Sequence, residues 1–513
     1  MSSATEVISG RLRKEILRIR CRQLPCDHRP MASDVLGGDE SGDAAAISVM
    51  AGAALSPRCS SLYCGRQCGR NLLEEDEGEA PLPNFLRWCQ KVSIQLNPKV
   101  YVSAEASVWQ YGVLTREDLP AGEVICSIPR SALLSQYTTQ IRDLLEKGQE
   151  NLKSRSGWVS LLISLMYEAT DESSPWAPYF GLWPQLSAPD LPMFWSENER
   201  LRLLKGTGVP EAVKKDLENM EQEYTTIVLP FIRKHSDKFC PQKHSLDLYK
   251  RLVAFVMAYS FQEPLEDEEE DGEKDALPPM MVPVADLLNH VAHHNAHLEF
   301  TPECLHMVTT RPVMAGQEIF NTYGEMGNWQ LLHMYGFSEQ HPNNIYETAD
   351  IPMLTLQEAA LMGAESEEQR ARVRERWTFL CHMDVVQEDG AFVFGCDGAL
   401  TEDELRTCLK LLCMSPEEFV DYKDNDGWEE DEDDETLNNQ ELSRLPPSWR
   451  ILLHRTAELA LKAYATDLHS DQAILDDNAT YKALSRREQY SLHVRYGQKR
   501  ILHRLLELTA ILP

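Results

Sequence analysis

Apolar residues first recur at helical spacing at Phe85, Trp88, Val92 and Leu96, which predicts a helix opening near Asn84. The pattern then shortens. Val100 to Val102, Gly112 to Thr115 and Glu123 to Ile128 alternate or cluster apolar side chains and predict strands. Between the last two, Leu119-Pro120-Ala121-Gly122 reads as a turn, with proline fixing φ and glycine free to take a positive φ. That unit recurs: LPAGEVI at 119–125 is echoed by VMAGQEI at 313–319. Two similar turn-then-strand units so far apart suggest one β-rich domain split by an inserted segment. The insert reads as helix, since 158–168, 197–204, 210–234 and 246–261 carry apolar positions every three or four residues. Residues 278–283 return to extended chain. Beyond His341, 354–362, 367–383, 402–413, 449–466 and 486–508 predict helices.

The expected fold class is therefore α+β: a split β-rich domain with a helical insertion, followed by an all-α C-terminal domain. The boundaries read as a disordered leader over 1–80 and a β-rich domain over 81–340. That domain holds a helical insert around 150–262 and an acidic loop at 264–278. A helical domain over 341–513 completes the chain. The leader is rich in Gly, Ser, Ala, Arg and Asp without sustained periodicity. A length of 513 residues agrees, because a single hydrophobic core stops growing well below that size.

Composition narrows the class of partner. A formal charge of −31 argues against a phosphate backbone, which needs a basic face, and suits a lysine-rich protein segment better. Much of the charge lies in two runs, Glu266 to Asp275 and Glu429 to Glu435, which read as solvated loops. No uninterrupted apolar run is long enough to predict a membrane span, and no signal peptide is read at the N-terminus. The 13 cysteines include no Cys-x-x-Cys pair, which implies reduced thiols. Cys59, Cys64 and Cys68 cluster but lack a fourth zinc ligand at a familiar spacing. Arg11, Arg13, Lys14, Arg18, Arg20 and Arg22 read equally as a nuclear import signal or an incidental basic helix.

Three stretches carry candidate chemistry. In VWQYGVLTREDLPAGEVI (108–125), Gly112 would let the backbone approach a ligand, or would simply sit in a strand or bulge. In VPVADLLNHVAHHNAHLEF (282–300), Asp286, Asn289 and His290 end an apolar run. His290, His293 and His297 would converge on a metal only in a helix, and Pro283 with the dense Asn/His composition reads as a loop. In EIFNTYGEMGNWQLLHMYGF (318–337), a strand ends at Ile319 and Phe320 and Gly324 makes a turn. Trp329, Leu332 and Tyr335 then share a helical face that Gly336 caps.

Taken in order, Asn289-His290, Asn321-Thr322-Tyr323-Gly324 and the paired Ala-Gly turns resemble the SET-domain protein-lysine methyltransferases. The subgroup resembled is that of the Rubisco large-subunit methyltransferase, which has a helical C-terminal domain and no cysteine-rich flanks. PKVYVS, SGWVSLL, GTGVPEAV, VMAYSFQEPLED and VRYGQKRILHRLLEL extend the match from about Phe85 to Leu508. The resemblance implies methyl transfer from S-adenosylmethionine to a lysine ε-amine, with Tyr323 as the catalytic residue. It implies cofactor contacts from Trp109, Gln110, Tyr111, Gly112, Tyr259, Asn289, His290 and Tyr335. It places Trp158, Ser260, Gln262 and Asp286 on the substrate side. The related loop reads Ala-Gly-Tyr-Gly where this chain has Trp109-Gln110-Tyr111-Gly112. It further implies mono-methylation of non-histone nuclear proteins, with the RelA subunit of NF-kappa-B and a variant core histone as expected partners. Neither nucleic acid nor membrane is expected as a direct partner. The expected state is a monomer or weak self-association, in the nucleus and also the cytoplasm. Two rival classes stay open: a silent SET-fold binding module, and a methyltransferase acting on histidine.

Overall fold

The two Ala-Gly turns that echo each other in sequence lie side by side in the computed structural model. The backbones of Leu119 and Val313 exchange both hydrogen bonds, at 2.8 and 2.9 Å. Each turn places its glycine at positive φ, Gly122 at 79° and Gly316 at 81°. Gly316 N–H donates to Thr115 O, and Gly122 N–H donates to Thr309 O. The similarity in sequence is thus a pseudo-symmetric clasp that brings both halves of the split domain together. The structure describes residues 80–107, 111–183, 189–264, 277–424 and 436–511. The leader to residue 79 with its basic segment and cysteine cluster, both acidic runs, Trp109 and Gln110 lie outside them.

Strands β1 (Gln95–Leu96), β2 (Val100–Ser103), β3 (Gly112–Thr115) and β4 (Val124–Pro129) precede the insert, with β5 (Ser260–Phe261) at its end. After it come β6 (Met280–Met281), β7 (Ala296–Phe300), β8 (Cys304–Thr309) and β9 (Glu318–Ile319). They form antiparallel sheets in the orders β1-β4-β8-β7 and β2-β3-β9, with β5 paired to β6. In the second sheet Val113 faces Ile319 and Leu114 faces Glu318, so residues from either side of the insert are direct neighbours.

The insert is helical where the periodicity predicts it: Val159–Glu168, Glu197–Leu204, Val209–Glu223 continued through a π turn into Leu229–Lys234, and Leu246–Tyr259. Two ends differ from expectation. The first helix, Pro81–Lys91, stops before Leu96, because Ser93 takes φ 63° and turns the chain into β1. The helix expected to reach Phe261 stops at Tyr259, because Ser260 and Phe261 pair with Met281 and Met280.

The C-terminal region is helical, but it also holds β10 (Thr348–Pro352) and β11 (Ala391–Gly395), paired antiparallel from Thr348 opposite Gly395 to Pro352 opposite Ala391. Ala349, Ile351, Phe392 and Phe394 turn inward at a period of two. Five-residue strands give too few repeats for that alternation to outweigh the helical signals around them. Two hydrophobic cores result. One runs from Phe85 to Met334 and the other from Ala349 to Leu505. The terminal helix, Arg486–Thr509, belongs to both: Val494 is buried in the first core and Ile501, Leu502 and Leu505 in the second. A Ser485/Glu488 capping box starts it. Buried Lys499 anchors it, with Nζ 2.6 Å from Asp471 Oδ2 and donating to Thr466 O and Asp467 O.

Candidate active site

The site grows from a strained approach. Val284, buried and β-branched, takes φ 78°, a conformation L-residues rarely hold unless the surroundings impose it. It launches a single 3-10 turn, Ala285–Leu287, that turns Asp286 into the interior. Asp286 Oδ2 accepts the hydroxyl of fully buried Tyr179 at 2.5 Å, while Oδ1 is buried with no protein partner. Burial outweighs that hydrogen bond and pushes the Asp286 carboxyl up to about 7. Burial and the nearby Asp286 charge likewise push Tyr259 up to about 12 and Tyr179 well above the ordinary phenol value.

From Leu288 to His290 the chain runs beside the segment that follows β9. Asn321 N–H donates to Asn289 O at 2.9 Å, and His290 bridges Asn321 in parallel. Tyr323 is pinned to this segment twice. Its N–H donates to His290 Nδ1 at 3.0 Å and its hydroxyl donates to Leu288 O at 2.9 Å. An accepting Nδ1 requires a neutral imidazole, and burial, with a smaller effect of His294, holds the His290 pKa down at about 3. Tyr323 stacks on His290 with centroids 5.1 Å apart and on Tyr335 at 4.6 Å, and Phe337 closes the cluster at 6.3 Å from both tyrosines. Burial, then the proximity of Tyr259, Tyr335 and Asp286, raises the Tyr323 hydroxyl well above its ordinary value, so it stays protonated. Tyr335 arrives by the route the sequence predicts: the helix Asn328–Tyr335 ends on Gly336, left-handed at φ 80°.

The third part is a cleft of about 530 Å³, within the range of small-molecule sites, walled by Glu105, Ser107, Val291, Asn295, Arg311 and Phe320. Glu318 lines it and is 6% exposed. Its Oε2 accepts the Ser107 N–H at 2.7 Å and also the Ser107 hydroxyl, while Oε1 accepts Asn289 Nδ2 at 2.6 Å. Asn289 Nδ2 also donates to Tyr111 O at 2.9 Å. Gly112 is needed here for a reason the sequence did not show. A Cβ at that position would stand 2.5 Å from Glu318 Oε1 and 2.6 Å from Ala106 Cβ, so the glycine makes room for a carboxylate.

The structure thus draws Tyr111, Gly112, Tyr259, Asp286, Asn289, His290, Tyr323 and Tyr335 together, and places Trp109 and Gln110 outside the described residues. Ser260 and Gln262 serve local structure. Ser260 Oγ donates to Val256 O at 2.6 Å, closing the preceding helix, and Gln262 Nε2 donates to Leu277 O across the gap before β6. Trp158 starts the helix Val159–Glu168 and packs half-buried on the first core. His297 lies in β7, 3.0 Å from Glu299, and among the described residues no three His, Cys, Asp or Glu side chains are grouped to hold a metal. Glu318, Ser107 and Tyr179 escaped the sequence reading. For Glu318 a signal existed: in the echoed unit it stands where the first copy has Val124, a charge inside an apolar run.

Comparison with known proteins places these features in context. Residues 110–324 match the SET domain, and residues 367–502 match the Rubisco LSMT substrate-binding domain. An N-lysine methyltransferase setd6 from Xenopus laevis is 66% identical over 433 residues, covering 84% of this chain and 95% of that protein. The N-lysine methyltransferase SETD6 of Homo sapiens is 51% identical over 455 residues, with 84% and 96% covered. A structure of Rubisco LSMT bound to AdoMet superposes with a TM-score of 0.58 at 19% identity, covering 84% of this chain and 91% of that one. The SET domain of LSMT bound to lysine and AdoHcy gives 0.57 at 18% identity over the same shares. These two likenesses speak for the fold.

Proposed function

This chain belongs to the SETD6 family of SET-domain N-lysine methyltransferases, and from that membership we propose that the cleft beside Glu318 takes S-adenosylmethionine while Asp286 and Tyr323 receive the substrate lysine. The enzyme is an S-adenosylmethionine-dependent protein-lysine methyltransferase. The residues present suit the cofactor. Leu114, Val291 and Phe320 offer apolar wall for a flat base, and Arg311 offers a cation for a carboxylate. Of the residues the resemblance assigns to the cofactor, Asn289 and Gly112 meet the cleft through Glu318, whereas Tyr111, His290, Tyr259 and Tyr335 do not line it. Because Asn289 Nδ2 is engaged within the protein, its Oδ1 and backbone N–H are the groups left for a ligand. When bound, the cofactor supplies an electrophilic methyl on a positively charged sulfur.

The chain's own residues must then deliver a neutral amine. An unperturbed lysine near pKa 10.4 needs about 4–5 kcal/mol to lose its proton at pH 7. An amine brought among the neighbouring rings of Tyr259, Tyr323 and Tyr335 would have its ammonium form disfavoured by desolvation. Asp286, with a carboxyl near 7 and Oδ1 lacking a protein partner, can accept that proton. Tyr323 cannot act as a base, since its hydroxyl stays protonated; bound to Leu288 O, it fixes where the amine comes to rest. Leu288 O is also placed to receive a weak C–H···O contact from a methyl group. The double pinning of Tyr323, by its N–H on His290 and its hydroxyl on Leu288 O, close to the buried Asp286 carboxyl, is the observation that carries this reading. Purified full-length chain with labelled S-adenosylmethionine and lysine-bearing peptides should transfer label to lysine. Absence of transfer across a broad peptide set would overturn it.

Mono-methylation is the proposed degree, supported by the tight stacking of Tyr323 on Tyr335, which limits room for a bulkier amine. Mass spectrometry showing di- or trimethyl-lysine as the main product counts against it. The proposed substrates are non-histone nuclear proteins, a RelA-type subunit of NF-kappa-B among them, and a variant core histone; the family resemblance supports this. Failure to methylate those proteins in vitro would remove them. A nuclear site of action, with a cytoplasmic share, is supported by the basic segment from Arg11 to Arg22. Deleting that segment from a fluorescently tagged chain should move it to the cytoplasm, and an unchanged nuclear signal contradicts the assignment.

A further inference from the structure

We infer that Glu318 is a positioning residue that sets the shape of the cofactor cleft, acting as a staple between Ser107, which lines the cleft, and Asn289 behind Glu318; the inference rests on the methyltransferase reading above. Three donors converge on its two oxygens: the Ser107 N–H and hydroxyl on Oε2, and Asn289 Nδ2 on Oε1. Ser107 is 211 residues from Glu318 in sequence and Asn289 is 29, so one side chain closes contacts from three separate stretches. Among the described residues the Glu318 carboxylate is the acceptor of the Ser107 backbone amide, and with Ser103 Oγ, which accepts the Glu105 N–H at 3.0 Å, it fixes where residues 105–107 lie beside the cleft.

The backbone around Glu318 is fixed independently of these contacts. Its strand is paired to β3 through Leu114, and Asn295 Nδ2 donates to its carbonyl at 3.2 Å. The side chain is therefore delivered from a rigid base, which a positioning role requires. Gly112 belongs to the same device, since any side chain there would meet Oε1. Tyr111 O, the other acceptor of Asn289 Nδ2, ties the residue before β3 to the same amide. Glu318 thus acts on the cofactor through Ser107, Asn289 and the start of β3, and has no part in moving the methyl group or the proton.

Glu318→Gln tests this in the full-length chain. A glutamine can keep one acceptor, but its NH₂ must then face the N–H or hydroxyl of Ser107 or the amide of Asn289, which are donors. Three readouts are expected together. Hydrogen exchange at the Ser107 amide, measured without cofactor, should accelerate by about tenfold or more. The Kd for S-adenosylmethionine, by calorimetry, should rise roughly tenfold, as expected for loss of one or two charge-assisted hydrogen bonds. At saturating cofactor, kcat and the peptide KM should stay within about threefold of wild type, because the lysine side is untouched. Unchanged Ser107 exchange with unchanged Kd overturns the inference, as does a fall in kcat that saturating cofactor does not rescue. If Glu318→Gln does not fold, Ser107→Ala removes one donor alone; it should raise the Kd by a few-fold with kcat intact, and an unchanged Kd overturns the inference. Should the wild-type chain bind no S-adenosylmethionine, the methyltransferase reading fails instead, and Ser107 exchange still reads the staple directly.

Discussion

The backbone N–H of Tyr323 donates to Nδ1 of His290 at 3.0 Å, so the position of one aromatic ring is set by the protonation state of another. His290 must be neutral to accept, and its burial keeps it neutral to about pH 3. The Asn-His segment therefore has a structural duty toward Tyr323 besides any contact with a ligand.

Tyr323→Phe keeps the stacking on His290 and Tyr335 and removes only the hydroxyl bound to Leu288 O. Turnover is expected to fall by about 10²-fold or more, since alignment at the reacting centre is lost, with cofactor affinity nearly unchanged. Single-turnover methyl transfer beside a cofactor titration checks it; wild-type turnover in the variant removes Tyr323 from the chemistry.

Asn289→Ala cuts the links to both Tyr111 O and Glu318. Here the Kd for S-adenosylmethionine should rise by about tenfold or more, because the buried Glu318 side chain loses a donor and Tyr111 loses its tie to it. Calorimetry giving wild-type affinity contradicts this.

Asp286 and His290, four residues apart, tilt stability in opposite directions with pH. His290 sits at about 3 against an ordinary 6.5, so below 6.5 the unfolded chain takes a proton the folded one refuses, and stability falls as pH falls. Asp286 sits at about 7 against an ordinary 3.8, so the folded chain keeps a proton the unfolded one has released, and stability falls as pH rises through that window. Each slope is about 1.4 kcal/mol per pH unit, and between 3.8 and 6.5 they offset. Asp286→Asn removes one of the pair. The variant should lose stability more steeply than wild type on acidification from 6.5 to 3.8, and should gain on it as pH rises from 3.8 to 7, with a constant difference above 7. Urea unfolding across this range decides, and parallel profiles for the two proteins would refute the opposition.

Val494→Ala tests the terminal helix. Val494 is fully buried in the first core although it lies in the last helix of the chain. The cavity should cost about 1–3 kcal/mol, and near-ultraviolet signals from tryptophans of the first core should melt together with the rest. A truncation after residue 345 leaves that core open on the same side and is expected to aggregate. Independent folding of the truncated chain, with Val494→Ala neutral, would show the two cores to be separable.

Much of this was legible beforehand, and the boundary follows interaction range. Helices such as 197–204 and 402–413 were read to the residue because the three-to-four spacing of their apolar positions is a local signal. Tyr323, Asn289 and His290 were found through the family resemblance, and the turn at Gly324 and the cap at Gly336 through glycine chemistry. Tyr179 and Ser107 were invisible because what matters about them is a partner 107 and 211 residues away, which local patterning does not encode. Ser260 and Gln262 show the converse. The resemblance assigned them to the substrate side, and what the structure adds is a local hydrogen bond for each, to Val256 O and to Leu277 O. The β10–β11 pair was missed because two short strands lie 39 residues apart between strong helices.

The clasp between Leu119 and Val313 has a meaning for how such a protein can change over evolutionary time. Everything between the Gly122 turn and the Gly316 turn leaves and returns beside the Leu119–Val313 bridge. Lengthening a flexible closed excursion costs only about 0.6 kcal/mol for each doubling. Within the excursion, the stretch from the end of β4 to β5 can be exchanged or extended while the wall formed by β3 and β9 stays fixed. The paired strands β3 and β9 can thus be inherited unchanged while the helical excursion between β4 and β5 is rewritten.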